Sequence, residues 1–229
     1  MTVGSNQPYF FPYIGHWQLI NVSDVFVLSD SMQYIKKGYV NRNSILIDGK
    51  SHLFTLEVLG VHTERLINEI SVGNNADKLL KSIVSAYRKA PYFEVVYPMI
   101  EEILLNDEKN LAKYLGNSIE KVARYLDMDT KFVYLSDLQG ETALRAQERT
   151  IDICERLNAD HYINSFGGQE LYSKETFKEH GIKLNFIKNE AAAYRQFNNE
   201  FVPNLSIIDV MMFNSQHEIK AMLQKYILL

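Results

Sequence analysis

Two hydrophobic periods alternate along this chain. Short apolar runs of strand length occur at Asp24-Val-Phe-Val-Leu-Ser29, Lys131-Phe-Val-Tyr-Leu135, His161-Tyr-Ile-Asn164 and Ile182-Lys-Leu-Asn-Phe-Ile187. Runs of this length between polar flanks predict buried strands. Helical spacing fills the intervals. Leu79, Leu80, Ile83, Val84 and Tyr87 make one stripe over 77–89. Asp77 leads that stripe, Arg88 and Lys89 trail it, and Pro91 stops it. Further helices are predicted from near Pro98 to Leu105, over 109–126 on Leu111, Leu115, Ile119, Val122 and Leu126, and over about 143–157. Ser206 to Phe213 reads as a buried helix, and Ser215 with Glu218 is a capping-box pattern that opens the last one. A short helix is expected over Gly15 to Asn21, and a loop over 194–204.

One turn is readable at residue level. Asp48-Gly49 separates two β-prone runs, and both residues tolerate positive φ, so 44–56 predicts a hairpin. Leu66 to Val72 is a candidate for a further strand. Strand–helix alternation then gives an α/β class: a Rossmann-like, mostly parallel sheet with an N-terminal β-hairpin and a helical insertion at about 76–127. No repeat or linker interrupts residues 1–229, which read as a single domain.

Composition removes several function classes. The net charge of -4 gives no electrostatic case for nucleic acid. No apolar run is long enough to span a bilayer and no signal peptide is evident, so a cytoplasmic protein is expected. Cys154, the one cysteine, shares helical spacing with Ile151 and Leu157 and reads as a buried thiol. The histidines are scattered without metal-ligand spacing, so no metal site is assigned. There is no nucleophile elbow and no full dinucleotide fingerprint, and no cofactor is specified.

Candidate chemistry concentrates near the start. Gln7-Pro-Tyr-Phe-Phe-Pro-Tyr-Ile-Gly-His-Trp-Gln-Leu-Ile20 sets two ring-locked residues, Pro8 and Pro12, among aromatics and polar forks. Ser29 to Asn43 follows, with Asp30, Gln33, Lys36, Lys37, Tyr39, Asn41, Arg42 and Asn43. Forked hydrogen-bonding groups beside aromatic faces suit a small polar ligand or a phosphate. The alternative is a packing loop followed by a solvated polar turn. Gly167-Gly168 past a predicted strand, with a helix expected near Gln169, has the form of an anion-binding turn. Asp209 inside an apolar helix needs a partner, either as an internal cap or facing a pocket.

The chain resembles the WbqC-like family of bacterial proteins. The carrying residues are Gln7-Pro-Tyr-Phe-Phe-Pro-Tyr-Ile-Gly15, Asp24-Val-Phe-Val27, Gln33-Tyr-Ile-Lys-Lys-Gly38, Asn41-Arg-Asn43, Ala86-Tyr-Arg-Lys-Ala-Pro-Tyr-Phe93, Tyr162-Ile-Asn164, Gly167-Gly-Gln-Glu-Leu-Tyr172 and Phe201-Val-Pro-Asn-Leu-Ser-Ile-Ile-Asp209. The resemblance implies a place among genes for amino sugars, O-antigen and other surface polysaccharides. Two positions depart from the family pattern: Asn6 stands where His or Met is usual, and Ser31 where a second aspartate is common. Phe11-Pro-Tyr-Ile-Gly-His16 is also similar to the turn-to-helix motif of nucleotidylyltransferases, with Tyr13 at the first histidine position.

The resemblance and the polar cluster together imply an amino-sugar transferase moving an acyl or aminoacyl group to the amine. Asp30, Lys36 and Arg42 are the candidate catalytic groups. Gln7, Tyr9, His16, Gln33, Lys37, Tyr39, Asn41, Asn43, Asn164, Gly167, Gly168, Gln169, Asn199 and Asp209 are the candidate substrate contacts. The expected partners are a nucleotide sugar or amino sugar and an acyl donor or acyl carrier protein, with no nucleic acid and no membrane span; a homo-oligomer is compatible. Two other classes stay open: a non-catalytic binding or assembly protein of the same pathway, and an adenylate-forming ligase.

Overall fold

The computed structural model describes residues 1–62, 64–138, 144, 146–190 and 192–229. A six-stranded sheet runs in the order β10-β9-β8-β1-β2-β7. Its strands are β1 (Thr2–Asn6), β2 (Val25–Leu28), β7 (Lys131–Tyr134), β8 (His161–Ser165), β9 (Lys183–Asn189) and β10 (Tyr226–Leu228). All neighbours pair in parallel except β10, which lies antiparallel on β9. The α/β reading with a mostly parallel sheet therefore holds.

Alternation along β2 explains the layering. Phe26 and Leu28 join one core with α1 (Ile14–Asn21), α7 (Ile207–Phe213) and α8 (Gln216–Leu223). Val25 and Val27 join a second core with α5 (Ala146–Arg156) and α6 (Lys174–Glu179) on the opposite face. Successive strand side chains point to opposite faces, so one strand feeds both cores. Cys154 is buried in the second core, and burial pushes its thiol up to about 12.

Between β2 and β7 the chain makes its insertion. The hairpin comes first, β3 (Arg42–Ile47) against β4 (Lys50–Thr55). Asp48 (φ 49°) and Gly49 (φ 73°) both take the left-handed conformation that the two-residue turn needs. A two-stranded pair, β5 (Val58–Leu59) and β6 (Ser71–Val72), follows, and then α2 (Ala76–Tyr87), α3 (Phe93–Leu104) and α4 (Leu111–Tyr125).

Three local readings change. Leu66–Val72 is not one strand: Ile67–Glu69 forms a 3-10 turn, because the Glu69 carboxylate accepts from the Leu66 amide at 2.9 Å. Helix α3 begins at Phe93 and carries Pro98 inside it, on an exposed face. Gly167 and Gly168 sit within a 3-10 helix, Phe166–Leu171, rather than before a helix at Gln169. The central strand β1 and the edge strand β10 had no reading in the sequence. The predicted helix over 143–157 is described from Ala146; residues 143 and 145 lie outside the described residues.

The order of crossovers positions the site. From β1 the chain crosses through α1 to β2 on one side, and later returns through α5 to β8 on the other. Strand order therefore reverses beside β1, and the loops past the strand ends there open a crevice, the usual ligand position in open α/β sheets.

Candidate functional site

Residues 7–13 leave the end of β1 as a loop pinned by its own backbone. Pro8 and Pro12 contribute no amide donor, so the loop is held through carbonyls. Pro12 O accepts from Trp17 Nε1 and from the Ile207 amide, both at 3.0 Å. Phe11 O accepts from Asn43 Nδ2 at 2.9 Å and from Ser206 Oγ at 2.8 Å. The Phe10 amide donates to Val40 O at 3.0 Å. Phe10 and Phe11 are fully buried, and Phe10 stacks on Phe54 of the hairpin at 5.3 Å. The proline-rich segment and the polar turn after it are thus one packed unit.

That unit forms most of a pocket of about 360 Å³, within the range of small-molecule sites. Its lining is Tyr9, Pro12, Tyr13, Tyr39, Asn43, Asn189 and Asn204. Asn189 is the last residue of β9, so the pocket stands at the C-terminal edge of the sheet. Among the described residues no charged side chain lines it. The hydroxyls of Tyr9, Tyr13 and Tyr39 and the side-chain amides of Asn189 and Asn204 have no protein hydrogen-bond partner among the described residues. Partial burial holds the Tyr9 and Tyr13 hydroxyls above their ordinary pKa, so both face the pocket protonated, as donors. Asn43 is different: its Nδ2 is used on Phe11 O and its Oδ1 accepts from the Ser44 amide at 2.8 Å.

The predicted residues divide into three groups. Tyr9, Tyr39 and Asn43 line the pocket. Lys36 and Lys37 lie on the exposed turn that leads to Tyr39. Gln7 reaches back from the loop to Gln33 O at 3.4 Å. A second group supports the first. Arg42 donates from Nε to Gly38 O at 2.9 Å and from Nη2 to Lys37 O, so it braces the lysine turn. Asn41 is buried between the Tyr34 hydroxyl at 2.8 Å and Leu56 O at 2.7 Å. Asp30 is 3% exposed and accepts from the Ser136 amide (2.9 Å), Ser136 Oγ (2.6 Å) and Asn68 Nδ2 (3.4 Å).

The third group lies elsewhere. Asn199 lines a cleft of about 390 Å³ between the hairpin turn and the end of α2, with Asp48, Gly49, Arg88 and Lys89. Lys81 and Arg88 line a groove of about 580 Å³ along α2. Both are larger than the neutral pocket, but neither touches the ends of the parallel strands. Asp209 is fully buried and accepts from Tyr194 Oη (2.6 Å), Gln196 Nε2 (2.7 Å) and Tyr87 Oη (2.8 Å). Burial raises its carboxyl pKa against the pull of those three donors. Asn164 turns its Oδ1 to the Ser165 amide, and a Cβ on Gly168 would come within 2.7 Å of its Nδ2. Gly167, Gly168 and Gln169 follow a strand at the same sheet edge but do not line the neutral pocket.

His16 packs behind Tyr9 (5.3 Å between rings) and against Phe26 (5.5 Å). It is 3% exposed, both ring nitrogens lack partners among the described residues, and burial lowers its pKa to about 3. The imidazole is neutral at physiological pH. The residues missed by sequence reasoning are Pro12, Tyr13, Asn189 and Asn204. Signals existed for each: the first two sit in the proline-aromatic stretch, Asn189 follows a predicted strand, and Asn204 sits in Phe201-Val-Pro-Asn-Leu205.

Among the described residues no helix is long and apolar enough to cross a membrane, and no group of three His, Cys, Asp or Glu could hold a metal ion. Fold and pocket define a Rossmann-like α/β protein with a neutral tyrosine–asparagine pocket at its strand ends. The chain belongs to the WbqC-like protein family, whose model matches residues 7–221. It is 24% identical over 213 residues to a Mycobacterium tuberculosis protein described as "Uncharacterized protein Rv1507c", covering 91% of each chain. No solved structure matches it.

Proposed function

We propose that the neutral pocket binds the ring of an amino sugar, free or nucleotide-linked, and that the protein transfers an acyl or aminoacyl group to its amine in surface-polysaccharide synthesis. One observation carries the binding half: a lining of three tyrosines and three asparagines without a charge, most of whose polar groups have no protein partner. Sugar rings offer apolar faces and many neutral hydroxyls, and this lining offers ring faces and forked amides in return. The surface-polysaccharide setting is part of the proposal and rests on the family resemblance. In a nucleotide-linked sugar the diphosphate would lie toward Lys36 and Lys37, on the turn that ends at Tyr39. Holding amine and acyl donor together supplies proximity, which alone is worth several kcal/mol, about 7 or more in good cases.

A second reading has its own observation. The Asp30 carboxylate is held by three hydrogen bonds and the Arg42 guanidinium by two turn carbonyls. Neither charged group lines the pocket, which favours a sugar-binding or assembly protein without catalysis. Incubation with nucleotide-linked amino sugars, acyl donors and ATP separates the readings by mass spectrometry. An acyl increment on the sugar establishes the transferase. Binding without turnover establishes the second reading, and pyrophosphate release would instead indicate an adenylate-forming ligase.

A further inference from the structure

Behind the neutral pocket lies a much smaller space of about 20 Å³, enough for one water-sized group. Asn189 and Asn204 line both, so the two spaces share a wall. The inner lining includes Gln18, which is 1% exposed. Its Nε2 donates to Met222 O and to Lys225 O, each at 2.9 Å. Turning the amide over would set its oxygen against both carbonyls, so the orientation is fixed. Oε1 is the end left over, and it has no partner among the described residues. Tyr194 also lines the space, but its hydroxyl proton is committed to Asp209 at 2.6 Å. Ile14, Leu205, Val210 and Met222 supply no donor from their side chains. A buried acceptor left without a donor is costly, so Gln18 Oε1 calls for an N–H or O–H that the neighbouring Asn189 and Asn204 amides do not supply. Glu190, an exposed residue, is also on this lining, and a carboxylate in the neighbourhood favours an amine over a hydroxyl.

We infer that this space is an inner subsite that takes the amine of the bound sugar, with Gln18 Oε1 as acceptor and Glu190 as counter-charge. The inference rests on the sugar reading of the outer pocket and goes with its non-catalytic form, since an amine enclosed in so small a space is out of an acyl donor's reach: the amine is the group by which the protein tells an amino sugar from its hydroxy and deoxy counterparts. Gln18 is here a specificity residue, acting through a direct hydrogen bond to the ligand.

The test uses the methyl glycosides of 2-, 3- and 4-amino-deoxyglucose and their matching deoxy sugars, titrated into the full chain by calorimetry or ligand-observed NMR. At least one amino sugar binds roughly tenfold or more tighter than its deoxy partner. Gln18→Met, of similar volume, collapses that ratio to below about threefold while the deoxy affinity holds. Glu190→Gln, at an exposed position, lowers the same ratio at least about threefold and keeps the inference testable should the buried variant not fold. A ratio unchanged in either variant overturns it. If neither amino nor deoxy sugars bind, the outer-pocket reading fails separately, and a high-resolution crystal structure of the free protein decides the inner site. One ordered water on Gln18 Oε1 supports a donor subsite, and a dry space overturns it.

Discussion

Three donors converge on the Asp209 carboxylate, and one of them, the Tyr87 hydroxyl, also accepts the Leu46 amide at 2.8 Å. This small network ties α7 to α2, to the hairpin and to the loop around 194–196. Tyr87→Phe leaves a buried carboxylate oxygen one donor short and a buried amide without an acceptor. It should cost about 1–3 kcal/mol in urea denaturation, while Tyr39→Phe on the exposed turn should cost almost nothing. Equal costs would mean the network does not hold the fold. That Asp209 needs a partner was legible in the sequence, since an aspartate amid Ile207, Ile208, Val210 and Met211 has few ways to be satisfied. Which partners it finds was not, because Tyr87 is 122 residues away.

His16 makes a second residue-scale prediction. Its pKa falls from 6.5 unfolded to about 3 folded, so the unfolded chain binds the extra proton between those values. Its contribution is intact above about pH 6.5 and lost progressively as pH drops toward 3, by up to a few kcal/mol, about 4 at the acid end. His16→Phe should flatten that part of the pH–stability curve. A wild-type curve flat from pH 7 to 4, or an equal slope in the variant, would contradict a neutral buried imidazole.

At the scale of elements, local chemistry decided what could be read. Asp48-Gly49 announces its hairpin because the turn itself demands left-handed residues. The amphipathic helices of the insertion announce themselves by period, and Ser215 with Glu218 forms the expected capping box. Strand β1 does not announce itself. Thr2-Val-Gly-Ser-Asn6 is polar and carries a glycine, which weakens a strand in isolation. The sheet uses that glycine: a Cβ at Gly4 would collide with Ser23 Oγ and crowd Leu19 and Phe26. Tertiary packing therefore places at the centre a strand that its own residues disfavour. Gly4→Ala should lower the melting temperature by several degrees, roughly 3–8 °C, whereas Gly167→Ala, where a Cβ would meet nothing within 4 Å, should leave it nearly unchanged.

The lysine turn is the other element with a consequence. Arg42 holds it through the carbonyls of Lys37 and Gly38, and Tyr39 follows directly as a pocket wall. Arg42→Ala should weaken nucleotide-sugar binding about tenfold with a melting temperature within a few degrees of wild type. Unchanged affinity would show that the turn takes no part in binding.

At the scale of the molecule, the pocket draws on residues 9–13, 39–43, 189 and 204. The first two were visible as one chemical cluster in sequence, and their packing together follows from hydrogen bonds of the loop carbonyls. The last two were not visible as part of it. Asn189 arrives because β9 is the second strand beyond β1 in a sheet whose order the sequence does not print. The double glycine shares the strand-end side of the sheet yet leaves the wall to Asn189 and Asn204. What the chain assembles at its strand ends is a neutral, hydroxyl- and amide-lined space.

The most direct test of that assignment follows the asparagine side-chain amides by NMR while a nucleotide-linked amino sugar is added to the full chain. Saturable shifts confined to Asn43, Asn189 and Asn204 are the expected result. Shifts centred on Asn199 and the Arg88–Lys89 cleft, or no shifts at millimolar sugar, would contradict it.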